Sequence, residues 1–203
     1  TSNMQAIVLR ETGGTAKLRL EEVETPAAGP GEILVRIRCA ALNRRDVFIT
    51  QGLYPGIVFP VIPGSAGCGV VAAHGPGAEG PPAGTSVVID PMLGWGDDPR
   101  LWRPDATILG MPHPGTLAAY VSVPAANVHP KPERLSDEQA AAIPLAGLTA
   151  YRAVYTRGQC TSDDVVLIPG AGGGVATFVL QFAKAAGART IVTSSSDAKL
   201  ERA

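Results

Sequence analysis

The stretch VVLIPGAGGGVATFVLQFAKAAGARTIVTSSS, residues 165–196, decides the fold of the second half of this chain. It opens with Val165 to Ile168, the continuous apolar run of a strand that is buried on both faces of a parallel sheet. A glycine-rich loop follows, then an apolar helical stripe that includes Phe182, then a second strand that begins at Ile191. This order predicts the start of a doubly wound parallel sheet.

The glycines of the loop fit the spacing Gly170-x-x-Gly173-x-x-Ala176, one residue longer than the common G-x-G-x-x-G arrangement. Gly170 allows a tight turn, while Gly172 and Gly173 let the backbone approach a pyrophosphate. Ala176 is small enough for close packing of helix on strand. The loop therefore predicts a dinucleotide site, and a plain turn between strand and helix is the alternative.

The residues around the loop favour NADP over NAD. The helix N-terminus at Gly174 and Val175 offers unpaired N–H groups and a partial positive charge to phosphates. Many NAD enzymes carry an acidic residue at the end of the second strand, where this chain has Ser194. Ser194, Ser195 and Lys199 can instead donate hydrogen bonds to a 2′-phosphate. A solvated serine run beside a helix cap is compatible with both cofactors.

Residues 1–126 are dense in Gly and Pro and have short apolar runs, unlike residues 127–203, and we interpret them as a separate domain. Five short apolar runs between turn residues predict strands: MQAIVLR, KLRLEEV, EILVRIRCAAL, GCGVVAAHG and TSVVID. Such spacing indicates a mostly antiparallel barrel or rolled sheet. In the second domain Ser136 and Gln139 predict the start of a helix that Pro144 interrupts.

Composition excludes several classes of protein. The chain has 203 residues, 45% of them hydrophobic, and a net charge of −1, so a nucleic-acid or anionic membrane surface is not expected. No apolar run approaches the roughly 20 residues of a membrane span. Cys39, Cys68 and Cys160 lie far apart, which indicates a reducing, cytoplasmic compartment. The three residues before Met4 resemble a cloning remnant, so Met4 is the expected natural start.

Several motifs together resemble the medium-chain dehydrogenase/reductase superfamily, in its quinone oxidoreductase-like and zinc-type alcohol dehydrogenase-like branch. They are NRRDVFITQGLYPG at 43–56, PVIPGSAGCGVV at 60–71, AAIPLAGLTAYRA at 141–153, and the glycine-loop block. The resemblance implies a GroES-like catalytic domain followed by a Rossmann cofactor domain. The family's Rossmann sheet has about six strands, and this chain carries the start of one. We therefore expect a longer enzyme, commonly a homodimer in this family.

Zinc-dependent members of this family carry metal ligands at three places where this chain has other chemistry. Asn43 matches the cysteine of a C-x-x-D motif, Ser65 and Ala66 match the histidine and glutamate of a G-H-E motif, and Leu145 or a neighbour matches a second cysteine. Amide, hydroxyl and alkyl groups do not hold zinc, which takes thiolate, imidazole or carboxylate ligands. The sequence therefore predicts a protein without zinc.

The zinc-free quinone reductases imply site roles for the matching residues. Asn43 and Tyr54 would donate hydrogen bonds to the substrate oxygen that gains charge. Asp46 matches an orienting residue or helix cap more closely than a general base. Arg44 matches a position that reaches the pyrophosphate, and Thr149 one near the nicotinamide. A turn-capping Asn, a half-buried Tyr and a solvated Arg are the alternatives.

The prediction from sequence is an NADPH-dependent oxidoreductase that delivers hydride, without zinc, to an activated C=C bond of an enone or to a quinone. Phe48 stands where the quinone reductases often carry tyrosine, which puts the quinone in doubt. A zinc alcohol dehydrogenase with substitute ligands is one alternative. A non-catalytic NADPH-binding sensor or partner protein is another, because a fold does not fix a function.

Overall fold

The structure is a computed structural model that describes residues 2–203, so Thr1 lies outside the described residues. The chain divides into two units, the first ending at Leu145 and the second spanning Ala146–Ala203. The domain boundary expected between residues 126 and 127 stays a prediction. No helix among residues 2–203 is both long and apolar enough to span a membrane.

The first unit is rich in strands, as its short apolar runs predict. Its elements are β1 Asn3–Val8, β2 Arg19–Glu24, β3 Glu32–Ala41, α1 Arg44–Thr50, β4 Ala66–His74, β5 Ser86–Ile89, β6 Met92–Leu93, β7 Thr107–Ile108, β8 Tyr120–Pro124, β9 Val128–Pro130 and α2 Asp137–Ala142. The five predicted strands correspond to β1 to β5. Short 3-10 turns lie at Thr15–Lys17 and Ala125–Asn127.

A five-stranded antiparallel sheet, in the order β8-β3-β4-β5-β9, forms the centre of the first unit. Successive side chains of a strand point to opposite faces, so Ile33 and Val35 of β3 lie on one face and are fully buried. They pack with Val87 of β5 and Val121 of β8 in the main apolar core. The predicted antiparallel, sheet-rich first region is confirmed.

The end of β3 carries an irregularity that leads the chain into α1. Ile37 pairs with Gly69 of β4 and Cys39 pairs with Cys68, so Arg38 is the extra residue of a bulge. A bulge bends its strand and increases the local twist. The bend lies just before the turn into α1.

Helix α1 is held in place by tertiary packing. Seven residues are too few for a stable isolated helix in water. Its Ile49 is fully buried in a second apolar cluster with Leu9, Val61 and Met111. These partners come from three distant parts of the chain, so the position of α1 depends on the assembled first unit.

The helix predicted at Ser136 is confirmed. The Oγ of Ser136 accepts a hydrogen bond from the Gln139 N–H at 3.2 Å, and Oε1 of Gln139 accepts one from the Ser136 N–H at 3.0 Å. This reciprocal pair is a capping box at the start of α2. A new helix, α3 Pro144–Tyr151, begins at the proline that was expected to interrupt the pattern.

The second unit contains the predicted strand, loop, helix and strand. After a π-helical turn at Arg152–Arg157 come β10 Val165–Pro169, α4 Gly174–Ala185, β11 Arg189–Thr193 and α5 Asp197–Arg202. Strands β10 and β11 pair in parallel. A parallel pair joined through a helix is the βαβ unit that the glycine-loop stretch indicates.

One expectation for β10 is wrong for the residues that the structure describes. Ile168 is buried, but Val165 is 49% exposed, Leu167 63% and Ile191 of β11 48%. Helix α4 covers one face of the strand pair, and within residues 146–203 no element covers the other. Strand β10 is therefore buried on one face only, and not on both as its apolar run predicts.

The stretch between β5 and β8 forms a lobe with little regular structure, as its lack of periodicity predicts. Strands β6 and β7 pair over two residues each. The rings of Trp95 and Trp102 lie 6.3 Å apart between centroids, and Trp102 remains half exposed. The two rings pack against each other at the surface of the lobe.

Candidate active site and cofactor loop

Asn43 is the residue that precedes α1, and its backbone is fixed there. Its N–H donates to Oδ2 of Asp46 at 2.8 Å, and its carbonyl accepts from the Asp46 N–H at 3.0 Å. Its side-chain Nδ2 donates to the carbonyl of Ala41 at 3.3 Å. The side chains of Asn43 and Asp46 form a capping box at the start of α1. The Ala41 bond uses one of the two N–H groups of the half-buried amide, so the other can donate to a ligand.

Asp46 fastens the start of α1 to the segment that leads into β4. Its carboxylate is buried, and besides the Asn43 N–H it accepts the Gly64 N–H on Oδ1 at 3.2 Å. Burial raises the pKa of Asp46 above its usual value, and the two backbone donors oppose that rise. Both oxygens are engaged with backbone, which is the arrangement of an orienting residue.

Arg45 is a site residue that the sequence reasoning missed. Its guanidinium is 8% exposed, and Nη1 donates to Ser65 Oγ at 2.8 Å and to the Leu109 carbonyl at 3.1 Å. Nη2 donates to the carbonyls of Met111 at 3.0 Å and Ile108 at 3.3 Å. The second arginine of the NRRD motif was the available signal, but its partners lie up to 66 residues away in sequence.

Tyr54 lies beside this guanidinium. The Arg45 Cζ is 4.7 Å from the centroid of the Tyr54 ring, within the range of a cation–π contact. The ring packs on the cluster of Leu9 and Ile49. Within residues 2–203 the hydroxyl has no hydrogen-bond partner, so it is available to a substrate. Contacts through α1 thus connect Tyr54, by way of Arg45, to the start of the helix at Asn43.

Large apolar side chains are exposed on α1 and on the chain segments before and after it, together with one cation. Leu42, Phe48, Leu53 and Val58 are large apolar residues that remain exposed. Arg44 is also exposed, with its Cζ 5.8 Å from the centroid of the Phe48 ring. These side chains offer apolar contact area to a ligand that binds near α1.

The positions that match the family's zinc ligands hold groups unsuited to the metal. Ser65 is fully buried, its Oγ accepts from the Arg45 guanidinium, and Ala66 begins β4. An amide, a hydroxyl and a methyl group do not form a zinc ligand set, and a guanidinium beside them repels a divalent cation. Leu145 lies at the end of the first unit. In the described part of the chain no three His, Cys, Asp or Glu side chains converge.

In the second unit the glycine loop has the backbone conformation of an anion-binding turn. Gly170 and Gly172 adopt φ of 77° and 92°, a region that favours glycine. Gly173 caps α4. The N–H groups of Gly172, Gly174 and Val175 have no partner among the residues described. This row of free donors at the start of a twelve-residue helix fits a bound pyrophosphate.

A cavity of about 440 Å³ lies beside the loop. Gly172, Thr177, Lys199 and Arg202 are among the residues that line it. The Lys199 stem crosses the loop, since a β-carbon on Gly172 would lie 3.3 Å from its Cδ. No carboxylate in the described chain forms an ion pair with Lys199 or Arg202. Arg202, three residues after Lys199 on the same helix, was not predicted from the sequence.

The other residues proposed for the cofactor lie at the surface of the second unit. Ser194 is half-buried, and its Oγ accepts the Ser196 N–H at 3.1 Å, which leaves its O–H free to donate. Ser195 is exposed directly after it, and Thr149 is exposed on α3. The free donors, the cations and the left-handed glycines together fit a phosphate-bearing dinucleotide.

Comparisons with known proteins agree with both halves of this description. Residues 29–133 match the alcohol dehydrogenase GroES-like domain family. The chain is 41% identical over 198 residues to zinc-type alcohol dehydrogenase-like protein YogA of Leptosphaeria maculans, which covers 92% of this chain and 55% of that protein. It is 30% identical over 212 residues to acryloyl-coenzyme A reductase of Metallosphaera sedula, covering 97% of this chain and 60% of that protein.

A solved structure is similar over nearly the whole chain. The crystal structure of an NAD-dependent alcohol dehydrogenase superposes with a TM-score of 0.91 at 43% identity. That match covers 98% of this chain and 60% of the other. The chain therefore spans a little over half the length of the relatives that it matches.

Proposed function

The chain belongs to the medium-chain dehydrogenase/reductase superfamily, and from that premise we propose that the protein is an NADPH-dependent reductase that acts without zinc. The substrate is an enone or other activated C=C compound, or a quinone. One observation carries the zinc-free part of the proposal. The family's ligand positions hold Asn43 and Ser65, and Ser65 accepts a hydrogen bond from the buried Arg45.

The second unit supplies the cofactor contacts. NADPH, when bound, provides the hydride for the reduction. The N–H groups of Gly172, Gly174 and Val175 would hold its pyrophosphate. A relative's name states NAD dependence, which supports a nicotinamide cofactor of either kind. The preference for NADPH rests on the unpaired cations Lys199 and Arg202.

Smaller cofactor roles are part of the same proposal. Gly170 and Gly173 shape the loop, and the hydroxyls of Ser194 and Ser195 donate to the 2′-phosphate. Arg44 binds pyrophosphate and Thr149 contacts the nicotinamide, both by resemblance to the family. These assignments add donors and one further cation to a site that must hold several negative charges.

The first unit supplies the substrate contacts. Negative charge develops on the substrate oxygen during reduction, and hydrogen-bond donors aimed at that oxygen stabilise it. The side-chain amide of Asn43 and the hydroxyl of Tyr54 are such donors, and the proton comes from Tyr54 or solvent. Asp46 orients Asn43 through its backbone. The exposed apolar residues near α1 favour a substrate with an apolar part. The name of one relative, acryloyl-coenzyme A reductase, supports a reductase.

A zinc alcohol dehydrogenase is the second candidate, because the name of one relative contains the words zinc-type. It predicts alcohol oxidation and one tightly bound zinc per chain. We also propose a reducing, cytoplasmic setting, consistent with three unpaired thiols at Cys39, Cys68 and Cys160, and a homodimer of the full protein.

The test is turnover by the full protein. NADPH consumption is measured with an enone and a quinone, and NADP⁺ reduction with a primary alcohol, before and after dialysis against a chelator. We expect reduction that survives dialysis and falls about 100-fold in Asn43→Ala and Tyr54→Phe. Tyr120→Phe, which removes a tyrosine hydroxyl on β8, is the control and keeps most of the activity. Stoichiometric zinc with chelator-sensitive alcohol oxidation would support the second candidate, and no turnover of any kind would indicate a binding protein.

A further inference from the structure

Arg45 is a buried cation whose partners are all neutral. Its hydrogen bonds go to one hydroxyl and three carbonyls. No carboxylate oxygen in residues 2–203 lies within 4.0 Å of its nitrogens. The Asp46 oxygens bond to the backbone of Asn43 and Gly64, and the charges of Asp46 and Arg45 interact only at longer range. A buried charge is normally paired. The arrangement therefore calls for a reason beyond packing.

Anchoring the carbonyls of residues 108–111 is one reason, but it leaves two features unexplained. The face of the Tyr54 ring lies 4.7 Å from the Arg45 Cζ. The Arg45 Nε is buried and has no partner, the only such side-chain atom in the described chain. A residue that served only to bind carbonyls would have no need of an aromatic ring whose hydroxyl is free.

We propose that Arg45 is a positioning residue for the reduction, holding the Tyr54 ring in place and keeping a fixed positive charge beside it. This inference rests on the proposed function, in which the Tyr54 hydroxyl donates to the substrate oxygen. A cation over the ring face restrains the ring. In a buried setting its charge also favours the negative charge that develops on that oxygen. Arg45 itself does not touch the substrate.

The test is a double-mutant cycle in the full protein with Arg45→Met, Tyr54→Phe and the combined variant. Arg45→Met removes the charge at similar length. We expect it to lower kcat about 10-fold to 100-fold while KM and the NADPH dissociation constant change less than about threefold. In the Tyr54→Phe background the same substitution should lower kcat by a clearly smaller factor, because only the long-range effect of the charge remains.

A second readout does not depend on activity. Tyrosine ring ¹³C labels give NMR signals, and Tyr54→Phe assigns the one that belongs to Tyr54. In Arg45→Met that signal should shift and broaden, while Arg45→Lys should keep more of the kcat than Arg45→Met does. If Arg45→Met does not fold, Ser65→Ala replaces it as the test variant, because it removes one acceptor and no charge. Ser65→Ala should move the Tyr54 signal without abolishing it.

Two results would overturn the inference. One is an equal loss of kcat on Arg45→Met with and without the Tyr54 hydroxyl. The other is an unchanged Tyr54 signal in every Arg45 and Ser65 variant, which would leave Arg45 as a packing residue. If the wild type turns over no substrate, the proposed function fails, and the NMR signal alone decides whether Arg45 holds Tyr54.

Discussion

The backbone N–H of Asn43 lies 2.8 Å from Oδ2 of Asp46, so a buried carboxylate sets the position of the residue that we assign to substrate binding. Asp46→Asn keeps the shape but replaces one acceptor with an NH₂ group. That group must face a backbone N–H, either of Asn43 or of Gly64. We expect a loss of about 1–3 kcal/mol in the free energy of unfolding at pH 7, measured by urea denaturation.

The matched control is Asp105→Asn. Asp105 accepts from Arg103 at 2.9 Å, but both side chains are exposed. Surface pairs contribute little, so we expect a change below about 0.5 kcal/mol. Equal effects of the two substitutions would show that the Asp46 carboxylate is not a structural anchor.

A second prediction concerns the conformation of the glycine loop. Gly172 has φ of 92°, and an L side chain there costs about 1–2 kcal/mol. Gly172→Ala should therefore lower the stability of the second unit by that amount and weaken NADPH binding. Gly174→Ala is the control for stability, because its β-carbon would make an ordinary 3.5 Å contact with Ala146. Isothermal titration measures NADPH binding, and thermal unfolding measures stability. Identical stabilities of the two variants would contradict the prediction.

Cofactor preference is the third prediction. The full protein should bind NADPH more tightly than NADH, and Ser194→Asp should shift the ratio toward NADH because a carboxylate repels the 2′-phosphate. Lys199→Met and Arg202→Met should each weaken NADPH binding about 10-fold and leave NADH nearly unchanged. Lys184→Met, on the last turn of α4, is the control. Equal affinities in the wild type, or no change of the ratio in Ser194→Asp, would remove Ser194 as the discriminating residue.

The fourth prediction is a loss of stability at alkaline pH through Cys68. Burial, followed by the charge of Asp137, raises the pKa of the Cys68 thiol from 9.0 to about 11. The folded state therefore holds its proton more tightly than the unfolded state does. This contribution is fully present below pH 9 and is lost as the pH rises through 11, on the order of 2 kcal/mol.

Urea denaturation of wild type and Cys68→Ala between pH 7 and 11 measures that contribution as a difference. Groups that do not interact with Cys68 titrate equally in both proteins and cancel. Across this range the free energy of unfolding of the wild type should fall relative to that of Cys68→Ala. That of Cys160→Ala should follow the wild type throughout. A constant difference between wild type and Cys68→Ala would contradict the pKa shift.

Local signals account for the parts of the fold that the sequence predicts. The capping box of Ser136 and Gln139 involves neighbours three residues apart, and the glycine loop lies between β10 and α4 in one continuous stretch. Strand β9 was not predicted, because it has three residues and depends on pairing with β5. The exposure of Leu167 was missed for a related reason, since an apolar run indicates a buried strand but not which element covers it.

The residues of the candidate site also divide into those that a local motif predicts and those that it does not. The resemblance of NRRDVFITQGLYPG to the family's motif selected Asn43, Asp46 and Tyr54, which lie within twelve residues of one another. Arg45 was missed because its significance comes only from acceptors near residues 65 and 108–111, which no local pattern predicts. A long-range contact of this kind is visible only once the strands have been assembled.

The distance along the chain between Arg45 and its acceptors also has a kinetic meaning. The bond from Arg45 to the Met111 carbonyl closes a loop of 66 residues, and that from Asp46 to Gly64 one of 18. Closing such loops costs chain entropy before any contact repays it. Because α1 is too short to form alone and depends on these contacts, we expect it to be completed after the folding transition state. Substitutions there should then accelerate unfolding and leave the refolding rate almost unchanged.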